Sequence, residues 1–212
     1  MSTSDHLVAV LDDEPKVLRS LKRLLTGRGF AVRLHSDPED FFRAGLPDVP
    51  SCLLLDHQLG EEMTGIEVQA EMLRRGWTIP IIFLTAHWNV NSIVRAMRAG
   101  ADGFLTKPYD SEELVQEIRR ALDHARKTLA STRESAELRA RAAKLTKREH
   151  EIVSHVITGR INKEIAHTLG LSVVTVKIYR GRAMRKLGAG NAAELARLAA
   201  LAGITGITGN PP

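Results

Sequence analysis

The first 124 residues alternate short apolar runs with stretches in which apolar residues recur at helical spacing. The runs have the length of strands, and most are apolar enough to be buried. They occupy residues 7–11, 30–34, 52–56, 79–84 and 103–105. Repeated strand–helix units require crossover connections, so the pattern predicts an α/β fold, a doubly wound five-stranded parallel sheet with helices on both faces.

The remaining chain has helical periodicity only. Residues 122–145 are charged and alanine-rich, and an apolar or alanine residue recurs every seven positions. This spacing indicates a helical linker, either paired with a second copy or merely solvated. Four short helices follow, and the third, at 173–187, starts after Ser172, a good N-cap. We therefore predict a domain at 5–124, a helical linker at 125–143, a small all-α four-helix domain at 144–204 and a disordered tail at 205–212.

Charge is divided unevenly between the two parts. Residues 1–124 carry 14 basic and 19 acidic side chains, a net charge of −5, whereas residues 125–212 carry 16 and 6, a net charge of +10. A basic segment attracts a polyanion because neutralised phosphates release counterions, although a basic surface that only maintains solubility has the same composition.

No apolar stretch has the 18 or more residues of a membrane span, and no signal peptide is evident. With Cys52 as the only cysteine, we expect a cytoplasmic protein without a membrane partner.

Side chains of complementary chemistry follow the predicted strands at their carboxyl ends. They are, in chain order, Asp12, Asp13, Asp56, Thr85 and Lys107. The carboxyl ends of parallel strands share one edge of the sheet, so these groups should converge on one pocket. A lone Asp56 could simply cap its strand. Together, however, the acids, hydroxyl and amine supply what phosphoryl transfer to Asp56 needs, with Mg²⁺ neutralising the acidic cluster.

The motifs around these residues are LDDEP, LLLD, FLTA and LTKPYD, in this order and spacing. They resemble those of the receiver domain of two-component response regulators over residues 6–124. The resemblance implies a flavodoxin-like sheet of order 2-1-3-4-5 and a phosphoryl group accepted by Asp56 from a sensor histidine kinase. It also implies Mg²⁺ bound by Asp13, Asp56 and the backbone carbonyl of Gln58, with Asp12 acting through water.

The resemblance assigns further roles and shows two departures. Lys107 matches the family's amine and Thr85 its switch hydroxyl, which moves onto the phosphate while the aromatic Phe104 turns inward. Pro108 matches a proline that usually follows a cis bond. The loop after the acceptor has Gly60 where proline is usual and reaches its glycine, Gly65, one residue later. Two further side chains, His87 and Gln58, flank the path of an attacking water and either tune phosphate lifetime or are ordinary loop residues.

A second ordered series of motifs runs from residue 145 to about residue 202. Its members are LTKRE, NKEIA, LGLS, TVK and KLG. They are similar to the LuxR-type helix-turn-helix of the NarL/FixJ response regulators. The resemblance implies that residues 173–187 form a recognition helix in the major groove of double-stranded DNA, with Lys177, Ile178 and Gly181 facing the bases.

Charge on this helix supports the same interpretation, since residues 173–187 contain five cations and no acid. The predicted DNA contacts are Lys163, Thr175, Lys177, Ile178, Tyr179, Arg180, Gly181 and Arg182. The resemblance further implies that Glu149 braces the scaffold through an arginine and that the last helix contributes Leu195, Leu198 and Leu201 to a dimer. Ile161 stands where serine usually caps the second helix, which leaves Asn162 as the expected cap.

The sequence therefore predicts a DNA-binding response regulator that is phosphorylated on Asp56, forms a homodimer on activation and regulates transcription. One alternative is a regulator with the same DNA-binding output whose atypical receiver works without phosphate. Another is a phosphohydrolase that uses Asp56 as a covalent nucleophile on an external substrate. Such an enzyme would normally carry a substrate-binding insertion or cap domain, so we expect no enzymatic activity beyond the receiver's own phosphorylation and dephosphorylation.

Overall fold

The structure is a computed structural model that describes residues 5–60, 63–86 and 90–206, without the side chains of residues 90–92. The chain forms two compact units with their boundary between Leu129 and Ala130. None of the described helices is long and apolar enough to cross a membrane.

The N-terminal unit contains one large parallel sheet and a small antiparallel one. The strands are β1 (Leu7–Leu11), β2 (Val32–His35), β3 (Ser51–Asp56), β4 (Gln58–Leu59), β5 (Met63–Thr64), β6 (Ile81–Thr85) and β7 (Gly103–Thr106). The helices are α1 (Pro15–Gly27), α2 (Pro38–Ala44), α3 (Gly65–Arg74), α4 (Val90–Arg98) and α5 (Ser111–Ala142). The large sheet has the order β2-β1-β3-β6-β7, which confirms the predicted doubly wound topology.

Apolar side chains of the large sheet pack against helices on both faces. On one face Val10 and Leu54 join residues of α1 and α5, and on the other Leu11 and Phe83 join residues of α2, α3 and α4. Every residue of β3 is buried, as the uncharged run before Asp56 predicts for a central strand. The pairing of β3 with both β1 and β6 therefore brings their carboxyl ends to one edge of the sheet.

Two features of the chain go beyond the sequence prediction. Strands β4 and β5 form an antiparallel pair in the loop after β3, where no strand was predicted. Helix α5 also continues without interruption from the predicted receiver into the predicted linker. Of the linker's heptad positions, Leu122 is buried but Ala136 and Ala143 are exposed.

The C-terminal unit contains the short helices α6 (Lys147–Ile157), α7 (Asn162–Leu169), α8 (Val173–Leu187) and α9 (Ala192–Leu201). Their buried side chains form one apolar cluster. Of the three leucines expected at a dimer contact, Leu195 and Leu198 are buried and Leu201 is exposed. The first residues of the predicted disordered tail still pack on the unit, because a Cβ added to Gly206 would lie 2.7 Å from Thr158 Cγ2.

Candidate functional site

Three carboxylates lie together where β1 and β3 end. Asp12 and Asp13 follow β1 directly, and Asp56 is the last residue of β3, which pairs with β1 in parallel. One oxygen of each carboxylate lies within 4.8 Å of one oxygen of each of the others. Asp12 and Asp56 are buried, whereas Asp13 is exposed. The strand ends thus bring the predicted acids into one pocket that opens to solvent beside Asp13.

The amine of Lys107 reaches this pocket from the end of β7. Its Nζ donates a hydrogen bond to Asp56 Oδ2 at 2.7 Å and another to Asp12 Oδ2 at 2.9 Å. Its backbone N–H donates to the carbonyl oxygen of Thr85 at 2.7 Å, which fixes the base of the side chain at the end of β6. The following peptide bond, to Pro108, is cis.

Burial and charge act against each other in this pocket. Burial raises the pKa of the Asp12 carboxyl, and the hydrogen bonds from Lys107 and from the Glu14 backbone N–H only partly oppose this rise. Burial lowers the pKa of the Lys107 amine, but its two carboxylate partners outweigh burial and raise that pKa overall, so the amine stays charged. Two like charges about 4 Å apart repel by about 4 kcal/mol at an effective dielectric constant of about 20.

Three acids around one amine leave the described pocket with surplus negative charge. A bound cation would remove the resulting repulsion. Carboxylate oxygens are hard ligands of the kind that divalent cations prefer. The residues present therefore fit a metal site.

The loop after β3 approaches the pocket closely enough to require glycine. The backbone N–H of Gly65 donates to the carbonyl oxygen of His57 at 2.8 Å. A Cβ on Gly65 would lie 2.4 Å from the carbonyl oxygen of Asp56, closer than any real contact allows. Gly60 has a φ of +72°, a left-handed conformation that favours glycine, and lies beside Asp13. The β4–β5 pair lies in this loop, which by its sequence has one residue more than the receiver pattern.

The other residues predicted for the pocket differ in exposure. Thr85, the last residue of β6, is buried. Phe104 on β7 is 39% exposed. It pairs in register with Phe83 of β6, two residues before Thr85. Gln58 is exposed, and its backbone N–H lies 3.4 Å from Asp56 Oδ1. His87 lies outside the described residues.

Helix α8 has one buried and one exposed face. Val176, Ala183 and Leu187 are fully buried in the core of the C-terminal unit. Among the predicted DNA contacts, the exposed residues are Lys163, Lys177, Ile178 and Arg182, and the half-buried ones are Thr175, Tyr179, Arg180 and Gly181. The exposed face is therefore both cationic and partly apolar.

A buried ion pair braces α6 against α8. Lys186 Nζ donates to Glu149 Oε2 at 2.6 Å, and the Glu149 side chain is only 3% exposed. The same carboxylate oxygen accepts the Thr146 backbone N–H at 2.8 Å, and Thr146 Oγ1 accepts the Glu149 backbone N–H at 3.3 Å. Burial raises the pKa of Glu149, but these hydrogen bonds outweigh burial and lower that pKa overall. The expected arginine partner was wrong, and the amine of Lys186 is engaged inside the unit.

A second contact ties α7 to α8. Arg180 Nη1 donates to Asn162 Oδ1 at 2.8 Å. The prediction that Asn162 caps α7 is wrong, because Asn162 is the first helical residue and Ile161 is the N-cap. Only the reciprocal bond of a capping box forms, from the Ile161 backbone N–H to Glu164 Oε2 at 2.9 Å. Sequence reasoning missed the Asn162–Arg180 contact, since no local pattern pairs two side chains 18 residues apart on different helices.

Two family models match this chain. The model described as response regulator receiver domain matches residues 8–119, and the one described as bacterial regulatory proteins, luxR family, matches residues 143–199. The chain is 37% identical over 194 residues to nodulation protein W of Bradyrhizobium diazoefficiens, covering 92% of this chain and 85% of that protein. It is 36% identical over 186 residues to transcriptional regulatory protein FixJ of Rhizobium meliloti, covering 88% and 91%.

Among solved structures, the response regulator StyR matches with a TM-score of 0.79 and 34% identity, covering 92% of this chain and 98% of that one. The chain belongs to the response regulators. It is a DNA-binding response regulator in which the receiver precedes a LuxR-type domain, as the sequence predicted. Its family consists of transcription regulators rather than classical enzymes.

Proposed function

We propose that Asp56 of this response regulator accepts a phosphoryl group from a sensor histidine kinase. The supporting observation is that Asp56 ends a fully buried strand beside Lys107 and two further acids. One carboxylate oxygen of Asp56 attacks the phosphorus atom as the bond between phosphorus and the donor nitrogen breaks. The donor imidazole keeps the electron pair of that bond, and an acyl phosphate forms on Asp56.

Mg²⁺ is the cation that we propose for this pocket. Asp13, Asp56 and the backbone carbonyl of Gln58 would hold it directly, and Asp12 through water. The exposed position of Asp13 leaves room for water molecules, several of which Mg²⁺ usually keeps when it binds one or two carboxylates together with phosphate. When bound, the ion supplies positive charge for the oxygens of the transferring phosphoryl group.

Three residues would connect the phosphoryl group to the surface of the receiver. Lys107 already contacts Asp56 at 2.7 Å, so its amine needs only a small movement to donate to a phosphoryl oxygen. The Thr85 hydroxyl, at the end of the neighbouring strand, donates to another. Phe104 is 39% exposed on the adjacent strand, and it would turn inward as Thr85 moves.

This rearrangement would favour a homodimer that presents two α8 helices to double-stranded DNA. Recognition helices enter the major groove, and dimers bind half-sites about one turn of the duplex apart. The exposed Arg182 would position α8 on phosphates, while Lys177 and Ile178 contact base edges. We assign residues 5–124 to the receiver, 125–143 to the linker, 144–204 to the DNA-binding domain and 205–212 to the tail.

Phosphorylation of the full chain by acetyl phosphate and Mg²⁺ tests the acceptor. Mass spectrometry should find one added phosphoryl group on the peptide that contains Asp56 in the wild type. The variant Asp56→Asn should gain none. A matched control is Asp123→Asn, which removes an exposed carboxylate on α5 and should gain as much as the wild type. Phosphorylation of Asp56→Asn at the wild-type level would contradict the assignment.

Sedimentation with Mg²⁺ and beryllium fluoride, a phosphate mimic, tests the dimer. The wild type should shift from monomer to dimer, and Asp56→Asn should not. If phosphorylation changes neither the oligomeric state seen in sedimentation nor the DNA affinity of the wild type, the phosphate-independent regulator is the better description. Catalytic turnover of external phosphate esters would instead favour the phosphohydrolase.

A further inference from the structure

The exposed face of α8 carries apolar residues that the packing of the C-terminal unit does not use. Val174 is 66% exposed and Ile178 is 50% exposed. Val174, Ile178 and Gly181 are separated by four and three residues, which places them on one side of a helix. The buried Val176 and Ala183 occupy the opposite side. We call Val174, Ile178 and Gly181 the exposed stripe.

Neither intrinsic helix propensity nor packing explains the exposed stripe. Valine and isoleucine are restricted by their branched Cβ, and glycine is a poor helix former. A Cβ built on Gly181 would meet no described atom within 4 Å, so the fold does not require glycine at this position. The three residues share short or absent side chains without charge, which lets another molecule come close to the helix.

The surroundings of the exposed stripe indicate what that molecule is. By helical spacing Lys177 lies on one flank and Arg182 on the other, and both are exposed. Residues 125–212 carry 16 basic and 6 acidic side chains. An apolar line with one cation on each side complements a major groove, where thymine methyl groups lie between two phosphate backbones. An apolar protein partner would not call for cations on both sides.

We propose that the exposed stripe reads thymine methyl groups in the operator of this regulator. This inference rests on the proposed DNA-binding function and adds Val174 as a determinant of specificity and Gly181 as the residue that allows close approach. Val174 and Ile178 lie about 6 Å apart along the helix axis, at 1.5 Å per residue. At 3.4 Å per base, the two contacted thymines should be about two base pairs apart in each half-site.

Selection from a random duplex library with the full chain provides the test duplex. Each thymine of the selected duplex is then replaced in turn by deoxyuridine, which lacks only the methyl group. Wild-type affinity should fall about fourfold at each contacted thymine, the effect of exposing one buried methyl-sized group. Thymines outside the contacts should show no loss.

Variants of the exposed stripe assign these losses to residues. In Val174→Ala, the preference of about fourfold for thymine over deoxyuridine should be lost at the thymine that Val174 contacts. The preference at the thymine that Ile178 contacts should persist. The neighbouring Val173→Ala makes the same chemical change off the stripe, at a residue that is 39% exposed, and should leave both preferences intact. Gly181→Ala should raise the melting temperature of the free chain and weaken binding to the selected duplex.

The possible failures are distinguishable. If the wild type binds its selected duplex but Val174→Ala keeps every thymine preference, the inference is overturned while the proposed DNA-binding function stands. If the wild type selects no duplex at all, both are overturned. If Gly181→Ala binds as tightly as the wild type, close approach at this position is overturned. Melting curves of each variant verify folding, and Val174→Thr provides a second variant of nearly the same shape.

Discussion

The pocket at the strand ends and the brace between α6 and α8 both bury carboxylate against lysine, but their charges balance differently. In the brace, one carboxylate, Glu149, meets one amine, Lys186, and the same carboxylate oxygen also accepts the backbone N–H of Thr146. In the pocket, the Lys107 amine contacts two carboxylates, and a third lies within 4.8 Å of them. In the brace, the charges of Glu149 and Lys186 balance each other. In the pocket, three carboxylates outnumber one amine, so a balanced charge requires a bound cation.

This difference separates a structural ion pair from a binding site. A buried pair that is broken leaves an uncompensated charge, so its loss destabilises the fold. A cluster with surplus charge of one sign already carries repulsion, so the loss of an acid outside the Lys107 ion pairs, here the exposed Asp13, relieves the fold and weakens only cation binding. Removal of a single carboxylate should therefore have opposite effects on stability in the two regions.

The largest effect is expected for Glu149→Ala. This change leaves Lys186 without its partner and removes the capping bond at Thr146, which should lower the free energy of unfolding of the C-terminal unit by about 2–4 kcal/mol. Calorimetry of the full chain measures it. The matched control is Glu151→Ala, which removes a partly exposed partner of Arg148 and should cost about 1 kcal/mol or less. Equal losses in the two variants would show that the brace is only a surface ion pair.

The second effect has the opposite sign and concerns Asp13→Asn. Without divalent cations, this variant should raise the free energy of unfolding of the receiver by up to about 1 kcal/mol, because one like charge is removed. Its affinity for Mg²⁺ should fall by about tenfold or more. Denaturation in chelator and calorimetric titration with Mg²⁺ measure the two quantities. A receiver that loses stability in chelator would place Asp13 among the structural acids instead.

The two regions also differ in how far sequence alone could predict them. The pocket was predictable, because a parallel sheet brings the carboxyl ends of its strands to one edge. Once residues 7–11 and 52–56 are identified as strands, Asp12 and Asp56 fall on one edge of the sheet, and the sheet order implied by the receiver resemblance makes these two strands adjacent. The β4–β5 pair was not predictable, since strands of two residues carry no periodic signal.

The brace was only partly predictable. The capping box of Thr146 and Glu149 was not predicted, although its residue types and local spacing could have indicated it. The identity of the partner, Lys186, depends on how α6 packs against α8, and a cation on the recognition helix looked equally suited to DNA. The partner of Arg180 could not be predicted either, because its hydrogen bond to Asn162 joins side chains on two different helices. Such choices depend on packing, which residue spacing does not determine.

A smaller effect should appear in the pH dependence of stability. The pKa of Glu149 is lower in the folded chain, so its contribution is complete above the ordinary glutamate pKa of about 4.3 and is lost as the pH falls through the folded value. Burial lowers the pKa of His155, which removes stability from about pH 6.5 downward. Because His155 is unchanged in Glu149→Gln, the difference between wild type and variant isolates Glu149.

The stability advantage of the wild type over Glu149→Gln should therefore be constant at neutral pH and shrink only below about pH 4. Unfolding by urea at a series of pH values measures this difference. A difference that already shrinks between pH 7 and pH 5 would assign the brace to another titrating group.

The smallest effect is expected at the N-terminus of α7, where the C-terminal unit is itself incomplete. Helix α6 has both bonds of its capping box, whereas α7 has only the bond from the Ile161 backbone N–H to Glu164. Ile161→Ser would supply an oxygen for the Glu164 backbone N–H and should stabilise the unit by about 0.5–1 kcal/mol. Ile161 is 60% exposed, so little apolar burial is lost.

Thermal unfolding of the full chain measures this gain, and Ile161→Ala is the control that shortens the side chain without adding an acceptor. Serine should be more stable than alanine, because only serine completes the second capping bond. If serine and alanine unfold at the same temperature, the Glu164 carboxylate alone satisfies this helix end. The contrast between the two helix ends would then disappear, because Glu164 would satisfy the end of α7 as the capping box satisfies that of α6.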